Sequence, residues 1–265
     1  MTISRLIPAL AWLVAGSLFA ATPQSDVRIV SPWPAQNTII AMLGYGDNIV
    51  GTSQVAKRIP LFRQSLPRID DVPVVSVNNG HELNPERILS LRTQLLFVPK
   101  SMSIPRQSLL EGAGVRILAF EANSMAALTA RVQKTADVLG PDAQEKAARY
   151  QHYFDHNVAL VASRLKDLPD NERRAVYHSM GNALTTTGKP SLNQDWMDLA
   201  GARNVAENWF AAKPNRAGEV SLEQILAANP AVIVAMNKRD ADEMMTSPQW
   251  AQDRKSTRLN SSHSS

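Results

Sequence analysis

The 265-residue chain contains no cysteine. That excludes a disulfide framework and a thiolate nucleophile, and it leaves no cysteine for lipid attachment behind an export signal. Histidine is scarce as well. Only His81, His152, His156 and His178 precede residue 253, which makes a three-histidine cage for bare zinc or manganese hard to assemble. His152 and His156 stand four apart in QHYFDH and would share a helix face, but HYFDH lacks the glutamate of a zinc-protease HExxH, so no metal site is expected there. Signature loops of catalysis are missing too: there is no GxSxG elbow, no phosphate-binding Walker loop and no dinucleotide fingerprint after a strand. TTTGKPS carries Gly188-Lys189 without the phosphate-loop spacing and reads as a polar loop before a helix.

Only one long apolar run is present, Leu6 to Phe19, and it is shorter than the ~20 residues a membrane span needs and contains Pro8. Preceded by Arg5 and followed by Ala20 and Ala21, it has the layout of a secretory signal peptide over residues 1–21, cut after Ala20 or Ala21. At the other end, DRKSTRLNSSH from Asp253 to His263 reads as a translated sequencing-library adapter, so residues 253–265 are expected to be an artefactual tail. The formal charge of +4 includes a net +2 from that tail and one charge from Arg5, which leaves about +1 for the rest. A chain so nearly neutral is not expected to bind nucleic acid.

What remains alternates strand and helix. DVRIVS is a strand, SPWPAQN a turn and TIIAMLGYGD a helix with a glycine stop. NIVGTS is a second strand, QVAKRIPLFRQSLPRIDD a polar loop, and Val74 to Val77 a short strand. GVRILAF closes a first α/β lobe, residues 22–123, with a mostly parallel sheet flanked by helices. A helical segment over 124–168 follows, and Pro141 suits the first turn of a long helix, 141–168, spanning roughly 42 Å and bridging to a second lobe. In that lobe, 169–252, RRAVYHSM and AVIVAM are strands around the helix-like SLNQDWMDLAGA. It is expected to be incomplete at its C-terminus. The fold class is therefore α/β with two lobes.

A short repeat supports the pairing of lobes. NPERILSLRTQLLFV (Asn84 to Val98) and SLEQILAANPAVIVA (Ser221 to Ala235) are offset by 137 residues, with glutamate third and Ile-Leu fifth and sixth in both. Each copy is a helix turning into a buried strand. With IVSPWPAQNTIIAMLGYGDNIVGTS and TTTGKPSLNQDWMDLAGARNVAE, these segments resemble, from Val27 to about Gln252, the periplasmic binding proteins of ABC importers whose two lobes are joined by one long helix. That family carries iron-siderophore complexes, haem and cobalamin. The resemblance implies a non-enzymatic, monomeric periplasmic protein, free of a lipid anchor and of any cofactor of its own. It would hand a small-molecule ligand to an inner-membrane permease. It also implies that Glu86 and Glu223 dock on arginines of the two permease subunits; read locally, each is a first-turn glutamate that favours its helix dipole.

Open α/β sheets bind ligands at loops after the C-terminal ends of strands. That rule nominates Trp33, Lys57, Arg58, Lys100 and Arg106 on lobe one, and His178, Asn182, Trp209, Lys238 and Arg239 on lobe two. Arginine can fork onto carboxylates or catecholates, and tryptophan offers flat contact to a macrocycle. Two rivals stay open. Molybdate or tungstate would prefer backbone N–H groups and hydroxyls such as Ser31, Thr185 and Thr186, and an exported α/β enzyme would use His178 as a base.

Overall fold

The computed structural model describes residues 26–77, 82–213, 216–251 and 258–260. The expected signal peptide lies outside the described residues, as does the C-terminal tail apart from the backbone of residues 258–260.

In lobe one, β1 (Ile29–Val30) ends before Trp33, the N-cap of α1 (Pro34–Met42). The helix begins inside the stretch read as a turn because Pro34 fits the first helical position, where no N–H is needed. β2 (Ile49–Gly51) follows. The segment read as a polar loop then winds two short helices, α2 (Gln54–Lys57), capped by the Ser53 hydroxyl, and α3 (Phe62–Ser65). A two-strand antiparallel ribbon, β3 (Ser76–Val77) with β4 (Glu82–Leu83), leads into the first repeat copy. That copy folds as α4 (Pro85–Ser90) and β5 (Leu95–Pro99). α5 (Gln107–Gly112) and β6 (Arg116–Phe120) complete a parallel sheet of order β2-β1-β5-β6.

Two helices separate the lobes. α6 (Met125–Leu139) is capped by Ser124 and stops at Gly140, whose φ of +112° suits a residue without a side chain. α7 (Pro141–Leu165) has 25 residues, three short of the sequence expectation, and extends roughly 37 Å.

Lobe two holds β7 (Arg174–Ser179), β8 (Thr185–Thr187), α8 (Leu192–Leu199), β9 (Ala202–Asn204), β10 (Ala217–Glu219), α9 (Leu222–Ala228), β11 (Val232–Ala235), α10 (Lys238–Thr246) and α11 (Pro248–Ala251). β8, inside the TTTGKPS segment read as a polar loop, pairs antiparallel with β10. The backbone of β12 (Arg258–Asn260), inside the stretch set aside as adapter-derived, runs parallel to β11. The second sheet has the order β12-β11-β7-β9.

In both sheets the first strand of the lobe lies between the second and the third, and the fourth takes the far edge. The repeat copies occupy the same place in each, the third strand and the helix before it. Matched isoleucines explain the pattern: Ile88 and Ile225, fifth in their copies, are both fully buried under their sheets. Burying such a side chain is worth about 1.5–3 kcal/mol. Asn84 and Ser221 cap the two helices, accepting from the backbone N–H of Arg87 and Gln224.

Candidate functional site

At the C-terminal ends of the lobe-one strands, polar side chains are buried where the sheet opens. Asn37 donates to the Thr52 hydroxyl at 2.8 Å, and Thr52 donates to the Ser31 carbonyl at 3.0 Å, which ties α1 to the ends of β1 and β2. Gln36 donates to Thr135 on α6 at 2.8 Å. The central group is Arg131, on α6. Its guanidinium carbon lies 4.1 Å from the centroid of the Trp33 ring, it is only 6% exposed, and its Nε has no hydrogen-bond partner. Burial pushes its pKa down from the usual value, an effect partly opposed by the nearby Tyr150 hydroxyl. Beside it is a cavity of about 160 Å³, walled by Arg131, Lys134, Lys100, Phe120 and Glu121.

At the corresponding edge of lobe two, His178 ends near α8, its ring edge-on to Trp196 at 5.7 Å. Burial lowers its pKa, and Nδ1 has no partner. The hydroxyls of Ser179 and Thr186 are likewise buried and unpartnered. Thr187 accepts from Asn193 at 2.9 Å, and Asn204 donates to Gln194 at 2.9 Å, so the floor beneath is closed by amide and hydroxyl bonds.

Of the residues nominated from sequence, Lys100 lines the Arg131 cavity and Trp33 stacks on the Arg131 guanidinium. Lys100 also pairs with Glu121 at 2.9 Å. Lys57 donates to the Asp70 carbonyl, and Arg58 is exposed just after α2. Arg106 is drawn to Glu86, with which it forms an ion pair between α4 and α5. In lobe two, Arg239 reaches the Gly181 carbonyl at 3.4 Å, bringing the β11 end to the turn that holds Asn182. Asn182 itself accepts from the Leu184 N–H. Lys238 pairs with Asp242 one helical turn on, because Lys238 and Arg239 open α10 and are not loop residues. Trp209 packs against the core cluster that includes Tyr177 and Phe210. Glu86 and Glu223 are both exposed in the first turns of α4 and α9. Hydrogen bonds from its own backbone N–H and from the Ser221 hydroxyl hold the Glu223 carboxyl below the usual carboxylate range.

Arg131 was not among the sequence nominations. The signal was present: on the α6 face that carries Leu128, Val132, Ala136 and Leu139, an arginine and Thr135 interrupt an otherwise apolar stripe. Three exposed apolar side chains also went unremarked. Val55 and Leu61, after β2, are 52% and 61% exposed, and Met236, after β11, is 66% exposed.

The lobes meet where the backbone N–H of Met125, at the start of α6, donates to Asp195 of α8 at 2.9 Å. Gly201, with φ of +68°, lets the chain after α8 pass the side chains of Leu165 and Leu168. A Cβ there would come within 2.9 Å of Leu168.

Two similar parallel-sheet lobes joined by a long helix, with polar and apolar side chains gathered at their strand ends, define a two-lobed solute-binding protein. The chain belongs to the periplasmic binding protein family, whose model matches residues 29–253. It is 24% identical over 221 residues to the vitamin B12-binding protein of Photorhabdus laumondii, covering 82% of this chain and 72% of that one. It is 22% identical over 224 residues to an uncharacterized ABC transporter substrate-binding lipoprotein, YvrC, of Bacillus subtilis, covering 80% and 67%. Among solved structures it resembles the molybdate-bound periplasmic binding protein MolA of Haemophilus influenzae, with a TM-score of 0.71 at 20% identity, covering 90% of this chain and 79% of that one. The protein is thus a periplasmic binding protein of the ABC-transporter type and not an enzyme.

Proposed function

We propose that the protein captures a chelated metal compound, a ferric siderophore, haem or cobalamin, between its lobes and delivers it to an ABC permease. The observation that carries this reading is the pairing of exposed apolar groups with flat aromatic surface at the strand ends: Val55, Leu61 and Trp33 on lobe one, Met236 on lobe two. Exposed apolar side chains at strand ends suit a broad amphipathic ligand. The similarity to a vitamin B12-binding protein supports the same class. A second reading, molybdate or tungstate, is favoured by the buried, unpartnered hydroxyls of Ser179 and Thr186.

In this reading the protein is exported by the N-terminal signal expected from its sequence and acts as a monomer in the periplasm. Glu86 and Glu223 would contact the two permease subunits. Their equivalent places on α4 and α9 support this, since a two-lobed protein on a two-subunit partner needs one contact per lobe.

The deciding experiment titrates the mature chain with ferric siderophores, haemin, cyanocobalamin and molybdate while following tryptophan fluorescence and melting temperature. Saturation by a chelate at micromolar concentration is expected. Response to molybdate alone selects the oxyanion reading, and silence toward every compound refutes both. For docking, the E86A/E223A double variant should keep ligand affinity and lose uptake; equal loss of both would assign these side chains a structural role.

A further inference from the structure

The cavity beside Arg131 is too small for a whole chelate. At about 160 Å³ it holds a few waters' worth of volume, at about 30 Å³ each, and lies below the roughly 300 Å³ of ordinary small-molecule sites. Its charge is lopsided. Lys100 is answered by Glu121 at 2.9 Å, but among the described residues no carboxylate answers Arg131 or Lys134. A buried guanidinium without a counter-charge is costly, and structures retain one where something else completes it. Trp33 covers the guanidinium from one side and cannot satisfy its N–H groups, which are the atoms that fork onto paired oxygens.

We infer that the cavity walled by Arg131, Lys134 and Lys100 is an anion subsite of lobe one that takes an oxyanion group, either a carboxylate carried on a chelate or a free tetrahedral oxyanion. The inference rests on the solute-binding reading of the same strand ends and narrows the ligand to one bearing negative charge. Trp33 holds the guanidinium in place, Lys134 adds long-range attraction, and the bulk of a chelate would stay outside the cavity.

The test titrates the full chain with molybdate, inorganic phosphate, haemin, haemin dimethyl ester and cyanocobalamin, comparing wild type with R131Q, R131K and the surface double variant K100Q/K134Q. Saturable binding of molybdate, phosphate or haemin to wild type is expected. R131Q should weaken it about tenfold or more, the loss of a charge-assisted bond, and R131K should rescue only part, because it restores charge without the fork. Saturation by molybdate or phosphate identifies a free oxyanion. Haemin binding that falls at least tenfold on esterification identifies a carried carboxylate. If R131Q does not fold, K100Q/K134Q must show the weakening instead. The subsite is overturned if folded R131Q, or K100Q/K134Q in its place, binds the anions as wild type does. It is also overturned if no anion saturates wild type, even where cyanocobalamin or the ester binds, in which case chelate capture survives. Binding of free oxyanions alone, sensitive to Arg131, keeps the subsite and refutes chelate capture.

Discussion

Replacing Asp195 by alanine removes a side-chain hydrogen bond that fastens α6 to α8, and with it a link between the lobes. The carboxylate accepts the N–H of Met125, first residue of α6, at 2.9 Å. The opening N–H groups of a helix have no partner inside it, and here Ser124 serves Ala127 while Asp195 serves Met125. Hydrogen bonds to charged groups contribute about 1.5–3 kcal/mol, and removal of a helix cap costs about 0.5–2 kcal/mol. Asp195 is half-buried, so the lower part of these ranges applies: D195A should lose about 1–2 kcal/mol. In a chain of this size that lowers the melting temperature by a few degrees, at about 2–4 °C per kcal/mol. D195N keeps an acceptor and gives up the charge, so its loss should be about half as large. Urea unfolding followed by circular dichroism and by tryptophan fluorescence, to which the adjacent Trp196 contributes, measures both. An unchanged midpoint for D195A, or an asparagine variant as unstable as the alanine one, would show that the bond does not fasten the lobes.

Three other substitutions probe the core and the site. Tyr177 is fully buried and its hydroxyl donates to the Ala183 carbonyl at 3.0 Å, so Y177F should lose about 0.5–1.5 kcal/mol in the same urea assay. A Cβ on Gly51 would meet Val75, Leu91 and Val30 side-chain atoms at 2.8–2.9 Å, so G51A should cost about 1–3 kcal/mol by overpacking the layer between β1 and α4. His178 gives a pH signature. Its folded pKa is lowered by burial, so below its ordinary value of 6.5 the unfolded chain binds the proton more readily than the folded one. Stability from neutral His178 is therefore complete above that pH and is lost as the pH falls through the folded pKa. Melting temperatures at pH 8, 6.5 and 5 should fall less steeply for H178F than for wild type.

Much of the architecture was legible because it depends on local spacing. Ser124, Ser221 and Asn84 mark helix starts through hydroxyl and amide caps, Pro141 opens the bridging helix, and the apolar runs around Phe97 and Ile233 are buried third strands. The repeated segments made the two-lobe arrangement readable, since equal positions in two sheets impose equal burial on Ile88 and Ile225. Elements that exist only through distant partners were not readable. β8 is three residues long and becomes a strand by pairing with β10 some thirty residues later, and α2 and α3 are single turns too short for a periodic signal.

The site divides the same way. Trp33 and Lys100 were nominated from the rule that strand ends in open sheets carry ligands, which needs only the order of elements, and the fold sets both beside Arg131. Arg131 was not, since a helix pattern shows that a charged residue interrupts an apolar face without showing what lies opposite. By itself the sequence determined the two lobes and the bridging helix, because periodicity and turn chemistry act over a few residues. The tertiary structure alone decided that Arg106 meets Glu86 and Lys100 meets Glu121, while Arg131 is buried on Trp33 with no ion pair to any described carboxylate. Whether a charge is answered depends on groups far apart in the chain, and only folding brings them to within a few ångströms.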